Sequence, residues 1–132
     1  MRFMMLIKHP EDYDVANVPH ALFGPMGEFV GEQMKKGVII DGAGLQPLSK
    51  ATRLRLAGRK IKVTDGPFSE AKEVVGGYAL CEVKSHEEAI AIATQFMELH
   101  RIYWPEFKGE CEVRPLEDVG ERIGLNVDHS MS

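Results

Sequence analysis

Little cysteine, no long apolar run and no basic cluster: each of these shortages closes a class of function. Cys81 and Cys111 are the only cysteines in 132 residues, too few for the disulfide scaffold of a small secreted domain. Both fall in stretches of strand character and are expected to be reduced core residues, the usual place of free cysteine. No apolar run reaches the roughly 18–20 residues that span a bilayer. Phe3–Ile7 is too short, and its flanks too charged, for a secretory signal. Sixteen Lys and Arg against 20 Asp and Glu give a formal net charge of -4, which argues against a nucleic-acid partner. There is no phosphate-cradling G-x-x-x-x-G-K-[ST], no Gly-x-Ser-x-Gly elbow and no catalytic-cysteine signature. His9, His20, His86, His100 and His129 are scattered, without the short fixed spacings of a zinc site. The expectation is a cytoplasmic protein with no metal, no cofactor, no membrane contact and no nucleic acid.

What remains is an ordinary globular composition, 44% hydrophobic and 27% charged, in a chain that suits one domain. The run Phe3-Met4-Met5-Leu6-Ile7 reads as a central strand. Leu22, Met26, Phe29, Val30, Gln33 and Met34 then recur at helical spacing. Lys35-Lys36-Gly37 supplies the basic last turn and the glycine of a helix stop. Pro25 leaves two starts, one near Asn17 with a kink and one at Pro25, where a missing N–H costs nothing; the regular part is expected to begin at the latter. Val38-Ile39-Ile40 is a short strand, ended by Asp41-Gly42-Ala43-Gly44. Thr52, Leu54 and Leu56 alternate with Arg53 and Arg55, the mark of a half-wet strand, and Ala57-Gly58-Arg59-Lys60 turns it back through Ile61 and Val63. Tyr78 to Val83 is another strand. Ser85-His86-Glu87-Glu88 is a capping box opening a helix over Ala89 to Leu99, which Tyr103-Trp104-Pro105 breaks. Cys111, Val113 and Pro115 close the domain at 1–115, leaving 116–132 as a tail.

The order β-α-β, hairpin, β-α-β predicts an α+β fold: a ferredoxin-like sandwich with an inserted β-hairpin and both helices on one sheet face. The other face would be bare, and a bare apolar face of several hundred Å² seeks a partner. A homodimer packed sheet to sheet is therefore expected.

Two segments carry a family resemblance. Asp65-Gly66-Pro67-Phe68-Ser69-Glu70-Ala71-Lys72-Glu73, followed by Gly76-Gly77-Tyr78, resembles the signature of the DGPF branch of YCII-related proteins. Gly42-Ala43-Gly44-Leu45-Gln46-Pro47 is similar to that family's G-x-G-L-x-P segment. The resemblance covers about Arg2 to Pro115. It implies a ferredoxin-like fold dimerised as an α/β barrel, in a family largely without assigned activity, some of whose members are encoded beside sigma factors. Smaller YCII proteins bring a His and an Asp together in a cleft, and His20 is the residue here that could take that histidine's part.

The candidate catalytic residues are Asp65, His20 and Asp41. Asp65 either caps the turn at Gly66-Pro67 through its backbone amides or stands in a cleft as a base. Asp41 follows a strand and precedes glycines, a common site for functional side chains. Convergence of the three would give an acid–base cluster. Gly44, Phe68, Glu70, Lys72, Glu73 and Tyr78 are the candidate ligand-binding residues. Glu70, Lys72 and Glu73 form either a solvated ion-pair strip or a polar patch at a cleft mouth. Gly76-Gly77 suits a bend or a close backbone approach, and His100 suits the negative end of its helix. Two functions fit: a cofactor-independent acid–base enzyme on a small molecule, or a non-catalytic ligand-binding module serving transcription.

Overall fold

The apolar run near the N-terminus becomes a central strand because its side chains alternate between two faces that are both at least partly covered. In a computed structural model, which describes residues 1–10, 18–68 and 73–117, this strand is β1 (Arg2–Pro10). It is followed by α1 (His20–Lys35), β2 (Ile39–Gly44), a 3-10 turn (Leu48–Lys50), β3 (Thr52–Ala57), β4 (Lys60–Asp65), β5 (Glu73–Glu82), α2 (His86–Tyr103) and β6 (Glu110–Pro115). Four strands make one sheet in the order β2-β5-β1-β6, antiparallel at every pairing. β3 and β4 form a separate two-stranded sheet. The described residues thus form a mixed α+β protein with two α-helices and antiparallel sheets.

Phe3 and Met5, only 1% and 3% exposed, point to the helical side. They meet Ile39 and Cys81 from the sheet, Val83 just past the end of β5, and Ala89, Ile92 and Ala93 from α2, with Phe29 and Val30 of α1 packed against the cluster. Burying a side chain the size of Phe3 or Leu22 stabilises by about 1.5–3 kcal/mol, so these few residues hold both helices to one sheet face. Met4 and Leu6 point the other way, beside Leu80 and Tyr78 of β5 in the pairing register. All four are half-buried within the single chain.

Local signals set the element ends. Val38 N–H donates to Gln33 O at 2.9 Å and Gly37 N–H to Met34 O at 3.0 Å, the paired bonds of a Schellman stop, with Gly37 at φ +73°. Ser85 Oγ accepts from Glu88 N–H at 3.1 Å. The reciprocal bond of the box is shifted by one residue, for Glu88 Oε2 accepts from Lys84 N–H at 3.3 Å. Gly58 and Arg59 both have positive φ, as a two-residue hairpin turn of the twist-matched kind requires.

Three boundaries differ from the sequence expectation. α1 begins at His20 and carries Pro25 inside it; the lost backbone bond is offset by anchoring Leu22, 1% exposed. Asp41–Gly44 is strand, paired with Leu80, Ala79, Tyr78 and Gly77 beyond a bulge after Ile39. β5 starts at Glu73, five residues before Tyr78. In the last two cases a neighbouring strand supplies hydrogen bonds that glycine-rich sequence does not advertise.

Candidate functional site

The strand ends that deviate from expectation are also where the protein is hollow. Gly42, Ala43 and Gly44 of β2 lie beside Gly77, Tyr78 and Ala79 of β5, with Gly76 next along the strand, so this corner of the sheet offers almost no side-chain bulk toward the helices. The helices stand over it on Leu22, Met26 and Phe29 from α1 and Ile92, Phe96 and His100 from α2. The result is a cavity of about 400 Å³, within the range of small-molecule sites. Its lining is apolar and aromatic, and among the described residues it includes no Asp, Glu, Lys or Arg.

His100 is a buried polar group of this cavity. It is 5% exposed and sits among aromatic rings, with ring centroids 4.8 Å from Phe96, 4.6 Å from Phe107 and 6.4 Å from Trp104. Its Nδ1 lies 3.0 Å from Phe96 O. A carbonyl can only accept, so Nδ1 carries the hydrogen and Nε2 the lone pair. Burial pushes the imidazole pKa below its ordinary 6.5, partly opposed by the bond to Phe96, which keeps the ring neutral at pH 7.

His9 stands at the cavity mouth, where three hollows meet. It borders the main cavity and a pocket of about 200 Å³ formed by Leu45, Gln46, Pro47, Leu48, Ser49, Pro67, Val74, Val75 and Gly76. It also borders a polar cleft of about 250 Å³ with Lys8, Glu73, Lys108 and Glu110. The Cδ2–Nε2 edge of the ring approaches β5 closely because Gly76 has no side chain; a Cβ there would come 2.5 Å from His9 Cδ2. His9 Nδ1 lies 2.8 Å from Pro10 O, which again places the hydrogen on Nδ1 in the neutral ring. The 200 Å³ pocket brings together the loops of the two signature segments, Leu45-Gln46-Pro47 and Pro67.

The residues singled out from sequence occupy several places. His20 is exposed in the first turn of α1, its ring edge-on to Phe23 at 5.8 Å. Asp65 accepts from Thr52 Oγ1–H at 3.2 Å across the open end of the hairpin. Asp41 accepts from Tyr78 O–H at 3.2 Å, on the sheet face away from the helices. The Asp41 carboxylate raises the phenol's pKa, first by its charge and then through that bond. Among the described residues no hydrogen bond or ion pair joins His20, Asp41 and Asp65; Asp41 and Tyr78 are the pair brought together. Gly44 lines the cavity, as does the backbone of Tyr78. Phe68 is buried, 7% exposed, with the Arg53 guanidinium 3.9 Å above its ring. Glu73 faces Lys8 Nζ at 3.7 Å. Lys8 bonds Glu112 more closely, at 2.7 Å, and that bond raises the lysine pKa and lowers the glutamate's. Glu70 and Lys72 lie outside the described residues, as does most of the tail, from 118 onward. No cluster of three metal-ligating side chains occurs among the described residues, and none of their helices is long and apolar enough to cross a membrane.

His9 and His100 are the site residues that sequence reasoning does not single out. A signal for His100 is nonetheless present: Phe96, His100 and Trp104 recur every fourth residue, which stacks rings on one helix face.

The YCII-related domain family model matches residues 1–97, from β1 through most of α2. The chain belongs to the YCII-related family. No curated protein matches it. The matched span contains the glycine-rich cavity floor, His9 and both signature loops, whereas His100, Trp104 and Phe107 fall beyond it. This YCII-related chain therefore roofs its cavity partly with residues outside the family match.

Proposed function

We propose that this YCII-related protein binds a small, largely apolar, planar molecule in the cavity between sheet and helices. His100 Nε2 receives a hydrogen bond or a proton from it, in acid–base chemistry without a cofactor. The observation that carries this reading is a neutral, buried histidine in an apolar cavity of about 400 Å³. A cavity walled by rings favours a flat ligand, and a lone pair in low dielectric favours a neutral donor such as a phenol or enol over a charged one. In this reading the acid–base role rests on His100, and the Asp41–Tyr78 pair is a second polar centre on the opposite sheet face.

The strand order β2-β5-β1-β6, with the hairpin set between β2 and β5 in the chain, supports a ferredoxin-like sandwich with an insertion. The half-buried strip of Met4, Leu6, Tyr78 and Leu80 on the helix-free face supports a homodimer packed sheet to sheet as an α/β barrel. A non-catalytic ligand-binding module, serving transcription in a sigma-factor setting, is the second reading. It is favoured by the absence of any carboxylate among the described lining residues to share a proton with His100.

Trp104, the only tryptophan in the chain, lines the cavity, so its fluorescence reports occupancy. Neutral phenols should quench it saturably in the native protein and fail to do so in His100→Phe. No response to any planar aromatic at millimolar concentration would end the proposal. Deuterium uptake at an acidic C–H of the bound ligand, followed by NMR, separates the two readings: exchange marks the enzyme, binding without exchange marks the module.

A further inference from the structure

The hairpin β3–β4 is two-faced. Leu54 pairs with Val63 and Leu56 with Ile61 in the antiparallel register, so four apolar side chains share one face. They are 61–71% exposed. Arg53, Arg55, Lys60 and Lys62 occupy the other face, with Arg59 in the turn. A lone two-stranded hairpin is marginal in water, and an exposed strip of four adjoining aliphatic side chains on a projecting element marks a surface that is covered in use.

The root of the hairpin is fixed to the body. Asp65 accepts from Thr52, Gly66 N–H donates to Ala51 O at 2.8 Å, and Arg53 sits on the buried Phe68. The Asp-Gly-Pro-Phe segment therefore anchors a projecting arm. Its charge says what covers the arm. Contrary to the expectation of no basic cluster, residues 52–64 hold five of the 16 cations and no acid, so the rest of the chain holds 11 cations against 20 acids, a formal -9. A cationic arm on an anionic body is repelled by other arms and attracted to other bodies.

We propose that the β3–β4 hairpin is an exchange arm, laying its Leu54/Leu56/Ile61/Val63 strip on the acidic body of a second copy of this chain. The proposal rests on the homodimer reading and adds to it. The central sheet strip offers four half-buried side chains, and stable interfaces bury roughly 1,200–2,000 Å² in total; two reciprocal arms add apolar area, and the cations on the arm's outer face supply longer-range attraction to an anionic neighbour.

Sedimentation equilibrium of the full chain tests this, comparing wild type with Leu56→Ser/Ile61→Ser, whose retained fold is checked by far-UV circular dichroism. Hydrogen exchange of residues 52–64 is followed across protein concentration. The expected result is a wild-type dimer of twice 14.7 kDa. Its dissociation constant should rise at least about a hundredfold in the variant, since each dimer loses four buried side chains. It should also weaken from about 0.05 to about 0.5 M NaCl, and arm amides should gain protection as the dimer forms. A wild-type dimer indifferent to the substitutions overturns the arm and leaves the sheet-to-sheet dimer standing. A wild-type monomer overturns both. Arm amides equally protected at all concentrations, as cover from the same chain would give, also overturn the proposal.

Discussion

Gly66→Ala should be among the most damaging single-methyl changes in this protein. A Cβ at Gly66 would fall within the van der Waals shell of Leu48 O, and also 3.0 Å from Leu48 C and 3.3 Å from Ala51 O. These are backbone atoms, and they are committed: Leu48 O accepts from Ala51 N–H at 3.0 Å, and Ala51 O accepts from Gly66 N–H at 2.8 Å. Making room means breaking both bonds, at about 1 kcal/mol each, with about 1–3 kcal/mol more for the overpacked root. The expected loss is about 3–5 kcal/mol, read in urea as a midpoint lowered by about 2 M and as faster exchange at the Ala51 and Gly66 amides. Gly27→Ala is the control. It adds the same methyl within α1, where nothing lies within 4 Å, and should stabilise by about 0.5–1 kcal/mol through helix propensity. Equal effects of the two substitutions, or a Gly66 variant within about 1 kcal/mol of wild type, would refute the close-packed root.

Other outcomes follow from groups already described. The unfolded chain takes up a proton at His100 near pH 6.5, but the folded chain resists it to lower pH. His100 therefore contributes stability that is full above 6.5 and declines as pH falls below it. Urea midpoints at about pH 7.5 and about pH 5.5 should diverge less in His100→Phe than in wild type, and an equal divergence would contradict a buried neutral ring. Burial raises both Cys81 and Cys111 thiols to about 11; Cys81, which is fully buried, should be alkylated at neutral pH only through unfolding and half-buried Cys111 only slowly, and rapid labelling of Cys81 in native protein would count against it. Ser85→Ala removes the acceptor for Glu88 N–H and should cost about 1 kcal/mol of stability in thermal or urea melts.

Sequence legibility follows the range of the interactions. The Gly37 stop, the Ser85 cap and the β3–β4 alternation are made by residues within a few positions of one another, and each is readable from the residues alone. The Asp41–Gly44 extension of β2 reads as loop in the sequence, since what makes it strand is β5, more than thirty residues away. Pro25 misleads for a similar reason: the propensity rule favours a later helix start, and burial of Leu22 overrides it. For the site, the two signature segments meet as loops of one pocket, so their closeness is legible as a pair of motifs. The cavity is not, because its volume comes from side chains missing on two strands and its histidine from a third element.

Thr52 and Asp65 face each other where the hairpin leaves and rejoins the body. A segment whose two ends already touch can be lengthened, shortened or rewritten residue by residue without moving the sheet that holds the cavity. Changes to that appendage leave the chamber as it is, since no residue between Thr52 and Asp65 lines it.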